Sequence, residues 1–420
     1  MSVHSLLDPG GYPSTMNQDS LDLRQSCDVL IIGAGVVGFA IGIALLESKQ
    51  SLKVIIAEKE KTLGKHASGR NSGVLHAGFY YSPDSLKAKF CREGNFELRK
   101  LAKKYEIPVR EVGKVVVSRN HDELNRLETL FERGLKNEVN LEVLDASQLD
   151  KYEPLAVTHE KFLWSPTTAV SDSKAIIDAM FQEFTSLGGK VEFEKKVLLE
   201  HVDGEIRDST NTYKFKHIVN AAGAQADRIS RSVGVGTQYA MLPFMGVYRA
   251  TEEKNLPLQR LVYPVPHPIN PFLGVHFTLT LDHKVKIGPT AIPIAGREQY
   301  SFNQGWSVSD IAQAFKGMTS LIKGEAHDFG VMVRTEWPKI IESLLVKQST
   351  ELVPTADTVK KWHRKPPGIR AQLVHLPTGK LEQDFVVDKL ANSTHVLNAV
   401  SPGWTSSIPF GRWIAKDLSL

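Results

Sequence analysis

The stretch from Val29 to Leu46 carries no charged side chain over 18 residues, long enough in principle to cross a bilayer. Its internal pattern argues for a different solution. The β-branched run Val29-Leu30-Ile31-Ile32 stops at Gly33, and Gly35, Gly38 and Gly42 then recur as in a helix packed closely on a sheet. The pattern predicts a buried strand, turn and helix. A second apolar run, Val54-Ile55-Ile56-Ala57, predicts a neighbouring strand. Apolar residues then recur at helical spacing over 84–104 (Leu86, Phe90, Leu98, Leu101) and 121–136 (Leu124, Leu127, Leu130). A third helix is expected from Ser173 to Leu187, begun by Ser171 or Ser173, stopped by Gly188-Gly189 and followed by a strand Lys190–Val197. Residues 240–295 switch to short strands punctuated by Pro and Gly, as in an antiparallel sheet, and helices are expected near 308–323 and 329–347. No internal repeat is visible. The fold class these elements define is α/β: a Rossmann-type nucleotide domain with an interleaved antiparallel-sheet (α+β) substrate domain. The expected division assigns 27–105, 146–238 and 355–420 to the first and 106–145 and 239–354 to the second. Residues 1–26 are expected to be a mobile tail.

Composition narrows the partners. The 420 residues have a net charge of +4 with both signs interspersed, so no basic stripe suits nucleic acid, whereas an acidic small molecule fits. Cys27 and Cys91 are the chain's two cysteines; they make no disulfide framework and no metal site alone, and are expected to be buried and inert. The tail has Asp8, Asp19 and Asp22 against Arg24 and no apolar core, unlike a secretory or transit peptide. The expected location is cytoplasmic, with peripheral contact at the inner face of a membrane left open. The basic run Lys360 to Lys365 reads as a solvated turn.

The run from Asp28 to Gly38 places G-x-G-x-x-G between a strand and a helix, the context that makes it a dinucleotide fingerprint. Gly33 permits the turn, Gly35 leaves space for a pyrophosphate, and Gly38 lets helix and strand approach. Glu58 stands 20 positions after Gly38 at the end of the second strand, where a carboxylate accepts ribose hydroxyls. Three later segments are rich in small polar residues: Gly64 to Gly73, Asn220 to Ala224, and Ser401 to Ser407. They fit a cofactor with a long, extended body.

These motifs occur together with S-G-R-N-S-G-V-L-H-A-G-F-Y-Y at 68–81, V-N-A-A-G-A at 219–224, Y-P-V-P-H-P at 263–268, L-G-V-H-F-T at 273–278 and G-I-R-A-Q-L at 368–373. In this combination the chain resembles the L-2-hydroxyglutarate dehydrogenase/oxidase family, part of the FAD-dependent group that includes D-amino-acid oxidase and glycerol-3-phosphate dehydrogenase. The similarity runs from about Cys27 to the C-terminus. It implies FAD, two interleaved domains and oxidation of a 2-hydroxy acid to a 2-oxo acid by hydride transfer to the flavin. The cofactor residues it implies are Gly33, Gly35, Gly38, Glu58, Lys59, Ser68, Arg70, Asn71, Ser72, Val197 (against the adenine), Ala222, Gly223, Gly403, Thr405 and Ser406. Departures from the family pattern stand at Gly403-Trp404, Leu279 and Thr290, and Trp404 is expected to narrow the pocket.

Such an oxidation needs a base for the hydroxyl proton and a cation for the carboxylate. Two histidines are candidates for the base. His76 follows the small-residue loop, and His276 alternates with Val275 and Phe277 on a strand; each has the alternative of a purely structural role. Arg370 follows Pro366-Pro367-Gly368-Ile369, and its planar fork matches a carboxylate. Tyr80, Tyr81 and Tyr263 are lesser candidates for orienting a dicarboxylate. No metal is called for. The competing activities are an amine or amino-acid oxidase on the same scaffold and a flavin-binding protein without turnover. Quinone, oxygen or another carrier remain open as the final electron acceptor.

Overall fold

The apolar run ending at Gly33 is the end of a strand, Leu23–Ile32, in the computed structural model, which describes residues 23–197, 205–207, 211–267, 272–301 and 303–418. Residues 23–26, expected in a tail, instead extend this strand. Their backbone finds partners in Asn211–Asn220, which is long enough to pair with all of it. The remainder of the expected tail, 1–22, lies outside the described residues. Strands Ser393–Asn398, Asn211–Asn220, Leu23–Ile32, Val54–Ala57 and Lys190–Glu192 run parallel in that order, and Val386–Leu390 turns back antiparallel at the edge.

Alternation along the first strand serves two layers. Val29 and Ile31 enter a core with Phe39, Phe90, Phe184 and Phe410, contributed by helices Val36–Ser48, Leu86–Lys104, Ser173–Ser186 and Ser407–Lys416. Leu30 and Ile32 face the other way, onto Ile55, Tyr213, Phe215 and Ile218. The uncharged stretch 29–46 is therefore buried strand and helix, and no helix among the described residues is long and apolar enough to cross a membrane. The helix expected from Ser173 has Asp172 as its cap, because that carboxylate accepts from the N–H groups of both Lys174 and Ala175. The strand after Gly189 ends at Glu192 rather than Val197.

An eight-stranded sheet forms the second region, in the order His363–Arg364, Arg249–Glu252, Lys284–Gly288, His276–Leu279, Leu261–Pro264, Lys114–Val117, Lys161–Ser165 and Glu142–Asp145. Lys161–Ser165 pairs with Lys114–Val117 and Glu142–Asp145, so residues 146–165 do not join the nucleotide sheet as expected. An apolar F-L-W strand fits either sheet, and only its pairing decides. Gly368–His375 likewise pairs along its whole length with Tyr239–Gly246, so the expected boundary at 355 also moves toward the C-terminus. The helices expected near 308–323 and 329–347 are one 29-residue helix, Val308–Glu336, followed by a turn at Trp337–Ile340 and a short helix Glu342–Ser349. Gly324 does not break the long helix; it packs against the Thr378-Gly379 backbone, where a side chain would collide.

The pleat gives the eight-stranded sheet two unlike faces. Val115, Val262, Phe277 and Ile287 stand in register on the core side. Lys114, Tyr263, His276, Thr278 and Lys286 share the opposite side.

Candidate active site

A cavity of about 780 Å³ lies between the two regions. Its wall includes the fingerprint glycines Gly33 and Gly35, the Glu58 and Val197 end, and also His76, Tyr248 and Arg370. Gly33 has φ +103°, and a Cβ there would stand 2.7 Å from the Ala221 carbonyl oxygen, so the turn admits glycine only. The helix after it starts at Gly35 with no side-chain cap and no acidic residue in its first turn, which leaves the positive end of the helix for an anion. Gly38 does not line the cavity; a side chain there would strike the Gly33 carbonyl, so its role is the close approach of helix to turn.

The Glu58 carboxylate accepts from the Ala34 and Glu60 N–H groups, each at 2.9 Å, and is thereby fixed at the cavity edge. The loop expected to wrap the cofactor is held by its own side chains. Ser68 Oγ accepts from the Val36 N–H at 3.1 Å, Asn71 Nδ2 donates to the Ser68 carbonyl at 2.9 Å, and Asn71 Oδ1 accepts from Gly73 N–H at 2.8 Å. Ser72 offers its carbonyl to Lys286 Nζ at 3.1 Å. Arg70 lies 4.1 Å over the Tyr300 ring and donates to the Lys65 carbonyl at 2.7 Å. Ala222, Gly223, Gly403 and Thr405 line the cavity from the other two small-residue turns. A helix N-terminus with glycine at its N-cap, an anchored ribose-type carboxylate and three converging turns fit FAD.

Lys59 lines the cavity but is engaged elsewhere: its Nζ donates to Glu60 at 2.6 Å and to Glu298 at 3.0 Å, beside His66. This cluster ties the cofactor loop to the segment before the long helix. Arg297, fully buried, reinforces the same seam by pairing with Asp227 and with Asp310 at 2.9 Å. Neither Arg297 nor Glu298 carries a motif, so sequence reasoning passes over both. Ser406 is buried and outside the lining.

The chemistry-bearing end is set by strand faces. His76 is half-buried at the cavity wall; its N–H donates to Thr405 Oγ1 at 3.2 Å and its ring Nδ1 has no hydrogen-bond partner. Burial, with the positive charges of Lys114 and Arg370 and the neighbouring His276 adding to it, holds the imidazole well below its usual range, hence neutral. His276 lies behind it, outside the cavity lining. Its ring stacks on Tyr263 at 3.8 Å and its Nδ1 donates to the Gly274 carbonyl at 2.7 Å. Burial pushes it down to about 3. Tyr80, Tyr81 and Tyr263 are also behind the wall, packed rather than lining. Arg370 faces the cavity from strand Gly368–His375. Its guanidinium makes one long hydrogen bond, 3.5 Å to the Thr290 carbonyl, and lies 5.1 Å over Phe272. Trp404 stands in the wall with its Nε1 unpartnered. Cys27 and Cys91 are buried free thiols, each pushed up to about 12 by burial.

A nucleotide fingerprint opening onto the same cavity as a neutral histidine and an arginine defines a flavin-type oxidoreductase site. The chain belongs to the FAD-dependent oxidoreductase family, whose model matches residues 28–416. Its relatives within that family include L-2-hydroxyglutarate dehydrogenases. The mitochondrial protein of Caenorhabditis elegans is 35% identical, with 95% of this chain and 94% of the relative covered. That of Escherichia coli K12 is 32% identical, with 93% of each covered, and the human mitochondrial protein is 33% identical, with 94% and 89% covered. Among solved structures, an FAD-bound L-alpha-glycerophosphate oxidase from Mycoplasma pneumoniae shares the fold with TM-score 0.73 at 22% identity, covering 94% of this chain and 96% of that one.

Proposed function

We propose that this chain oxidises L-2-hydroxyglutarate to 2-oxoglutarate, using FAD. FAD, when bound, supplies the acceptor for the hydride that leaves the carbinol carbon. His76 takes the hydroxyl proton: it faces the cavity, and its depressed basicity keeps it unprotonated near neutral pH. His276 holds the position of Tyr263 behind it. Arg370 holds the carboxylate next to the reacting carbon, where a planar fork fixes both position and plane. Gly33, Gly35, Glu58, the 68–72 loop, Val197, the Ala222-Gly223 turn and the Gly403–Thr405 turn hold the cofactor.

The single observation that carries this reading is the shared wall: His76 and Arg370 face one cavity with the fingerprint glycines, and no carboxylate among the described residues pairs with Arg370. The test is anaerobic mixing of the holoenzyme with L-2-hydroxyglutarate, following loss of the visible flavin band and identifying the product. Bleaching with formation of 2-oxoglutarate is expected. Bleaching by amino acids with release of ammonia, and none by 2-hydroxy acids, would replace the reading with an amine oxidase. Reoxidation of the same sample by oxygen or by a quinone identifies the final acceptor.

A further inference from the structure

Lys114 opens the strand Lys114–Val117 and is fully buried, yet its Nζ has no hydrogen-bond partner. Three rings surround the ammonium: Tyr263 at 4.1 Å, Tyr80 at 5.0 Å and Phe79 at 5.4 Å. Aromatic faces offset part of the desolvation of a cation, but a buried charge without a counter-charge remains a costly arrangement. Nor is Lys114 the only orphan in this place. His76 Nδ1, Tyr80 Oη and Thr278 Oγ1 are also buried without partners. Unsatisfied buried polar groups are rare in native proteins, and a cluster of them marks a place where a ligand supplies the missing partner.

The pleat explains why they converge. Lys114, Tyr263, His276 and Thr278 stand on the same face of three neighbouring strands. That face backs onto His76, which feels the charges of both Lys114 and Arg370. Lys114, Tyr80 and Thr278 do not line the cavity, whereas His76 does, and no hydrogen bond at Nδ1 pins the His76 ring. Lys114 and Arg370 both lie within electrostatic reach of His76 and His276.

We infer that Lys114 is the anchor for the second carboxylate of a dicarboxylate substrate, with the Thr278 and Tyr80 hydroxyls completing its partners. The inference rests on the 2-hydroxy-acid reading above and adds the reason for a dicarboxylate. A monocarboxylate held by Arg370 leaves the Lys114 ammonium buried and uncompensated; a distal carboxylate satisfies it. Sequence reasoning misses Lys114 because K-V-V-V after a glycine reads as a strand with a solvated first residue.

The test uses the oxidised holoenzyme and two five-carbon ligands that differ in the distal group, glutarate and valerate, titrated by calorimetry. Wild type is expected to bind glutarate about 10–100-fold more tightly, the worth of charge-assisted hydrogen bonds to one carboxylate. Lys114→Met should bring the two toward parity, and Lys114→Arg should retain part of the preference. Should Lys114→Met lose FAD, Thr278→Val, which leaves the cation in place, should still weaken glutarate and not valerate. Equal binding of the two ligands by wild type overturns the inference, as does an undiminished preference for glutarate in Lys114→Met. Catalysis separates the inference from the function it rests on. Flavin bleaching by both L-2-hydroxyglutarate and L-2-hydroxyvalerate at equal efficiency sinks the Lys114 anchor alone, whereas no bleaching by either removes the 2-hydroxy-acid reading itself.

Discussion

The Thr405 hydroxyl accepts the His76 backbone N–H and donates to the Val74 carbonyl, both at 3.2 Å. The turn near the C-terminus thus clamps the loop that carries the proposed base, and one methyl-bearing hydroxyl links the third small-residue segment to the first. Thr405 lines the cavity while the next residue, Ser406, does not, so the turn serves cofactor and base together.

Thr405→Val removes both bonds without changing shape and leaves a buried N–H unpaired, which costs about 1–3 kcal/mol. A lower melting temperature and slower flavin reduction are expected. A fall in melting temperature with an unchanged reduction rate would mean that the clamp does not position His76.

Gly35→Val should give colourless protein. Even a Cβ at this position would stand 3.1 Å from Ser68 Oγ, and a branched side chain would also enter the space in front of the helix N-terminus. The ratio of flavin to protein absorbance after purification measures it, and a yellow variant would displace the pyrophosphate from this turn.

The pH profile should have two limbs of different origin. His76 must be neutral to take a proton, and it is held well below 6.5, so turnover is lost only as pH falls well under that value. Lys114 must be charged to hold a carboxylate, and burial pushes it down to about 7, so affinity for the dicarboxylate is lost as pH rises past it. Of its neighbours, Cys91 is pushed up to about 12, Tyr80 and Tyr263 are raised, and His76 and His276 are lowered, all chiefly by burial, whereas Lys286 on the same face is pushed down to about 8 and loses its charge next. The alkaline limb should appear in KM and not kcat, and should vanish with L-2-hydroxyvalerate. A profile identical for both substrates would contradict it.

Arg370→Lys should keep FAD and part of the substrate affinity yet lose about 100-fold in reduction rate, because a point charge does not fix the carboxylate plane. Arg370→Ala should lose affinity as well, by roughly 1.5–3 kcal/mol. Single-turnover reduction against substrate concentration separates the two effects, and wild-type kinetics in the alanine variant would assign the carboxylate to another cation.

Arg297→Met should destabilise the fold rather than the chemistry. It takes the buried guanidinium from Asp227 and Asp310, which keep Arg231 and Arg228 as their remaining partners, so the loss is that of charge-assisted hydrogen bonds, about 1.5–3 kcal/mol. Chemical denaturation of the holoenzyme checks the size of the loss, and wild-type stability would show that Arg231 and Arg228 suffice for the two carboxylates.

The local features legible in the chain are those whose cause is local. A β-branched run cut by glycine forms a strand and turn because Gly33 has to take a positive φ, and helices 86–104 and 121–136 follow from apolar spacing capped by Ser85 and Asn120. The cofactor turns were legible for the same reason, since small residues at a close backbone approach leave no alternative. Lys59 lines the cavity, but its pairing with Glu298, 239 residues away, is one that no local spacing announces.

By itself the sequence determined the nucleotide fold, because short-range sterics and periodicity encode it, while the cofactor class came with the family resemblance and His76 and Arg370 came from the needs of the chemistry it implies. Tertiary structure alone decided that Lys161–Ser165 joins the eight-stranded sheet, that His76 rather than His276 faces the cavity, and that Lys114 is buried without a partner. Each of these depends on which strands pair and in what register. A shift of one residue would exchange the faces of Lys114 and Val115, and alternation within one strand carries no information about the strand beside it.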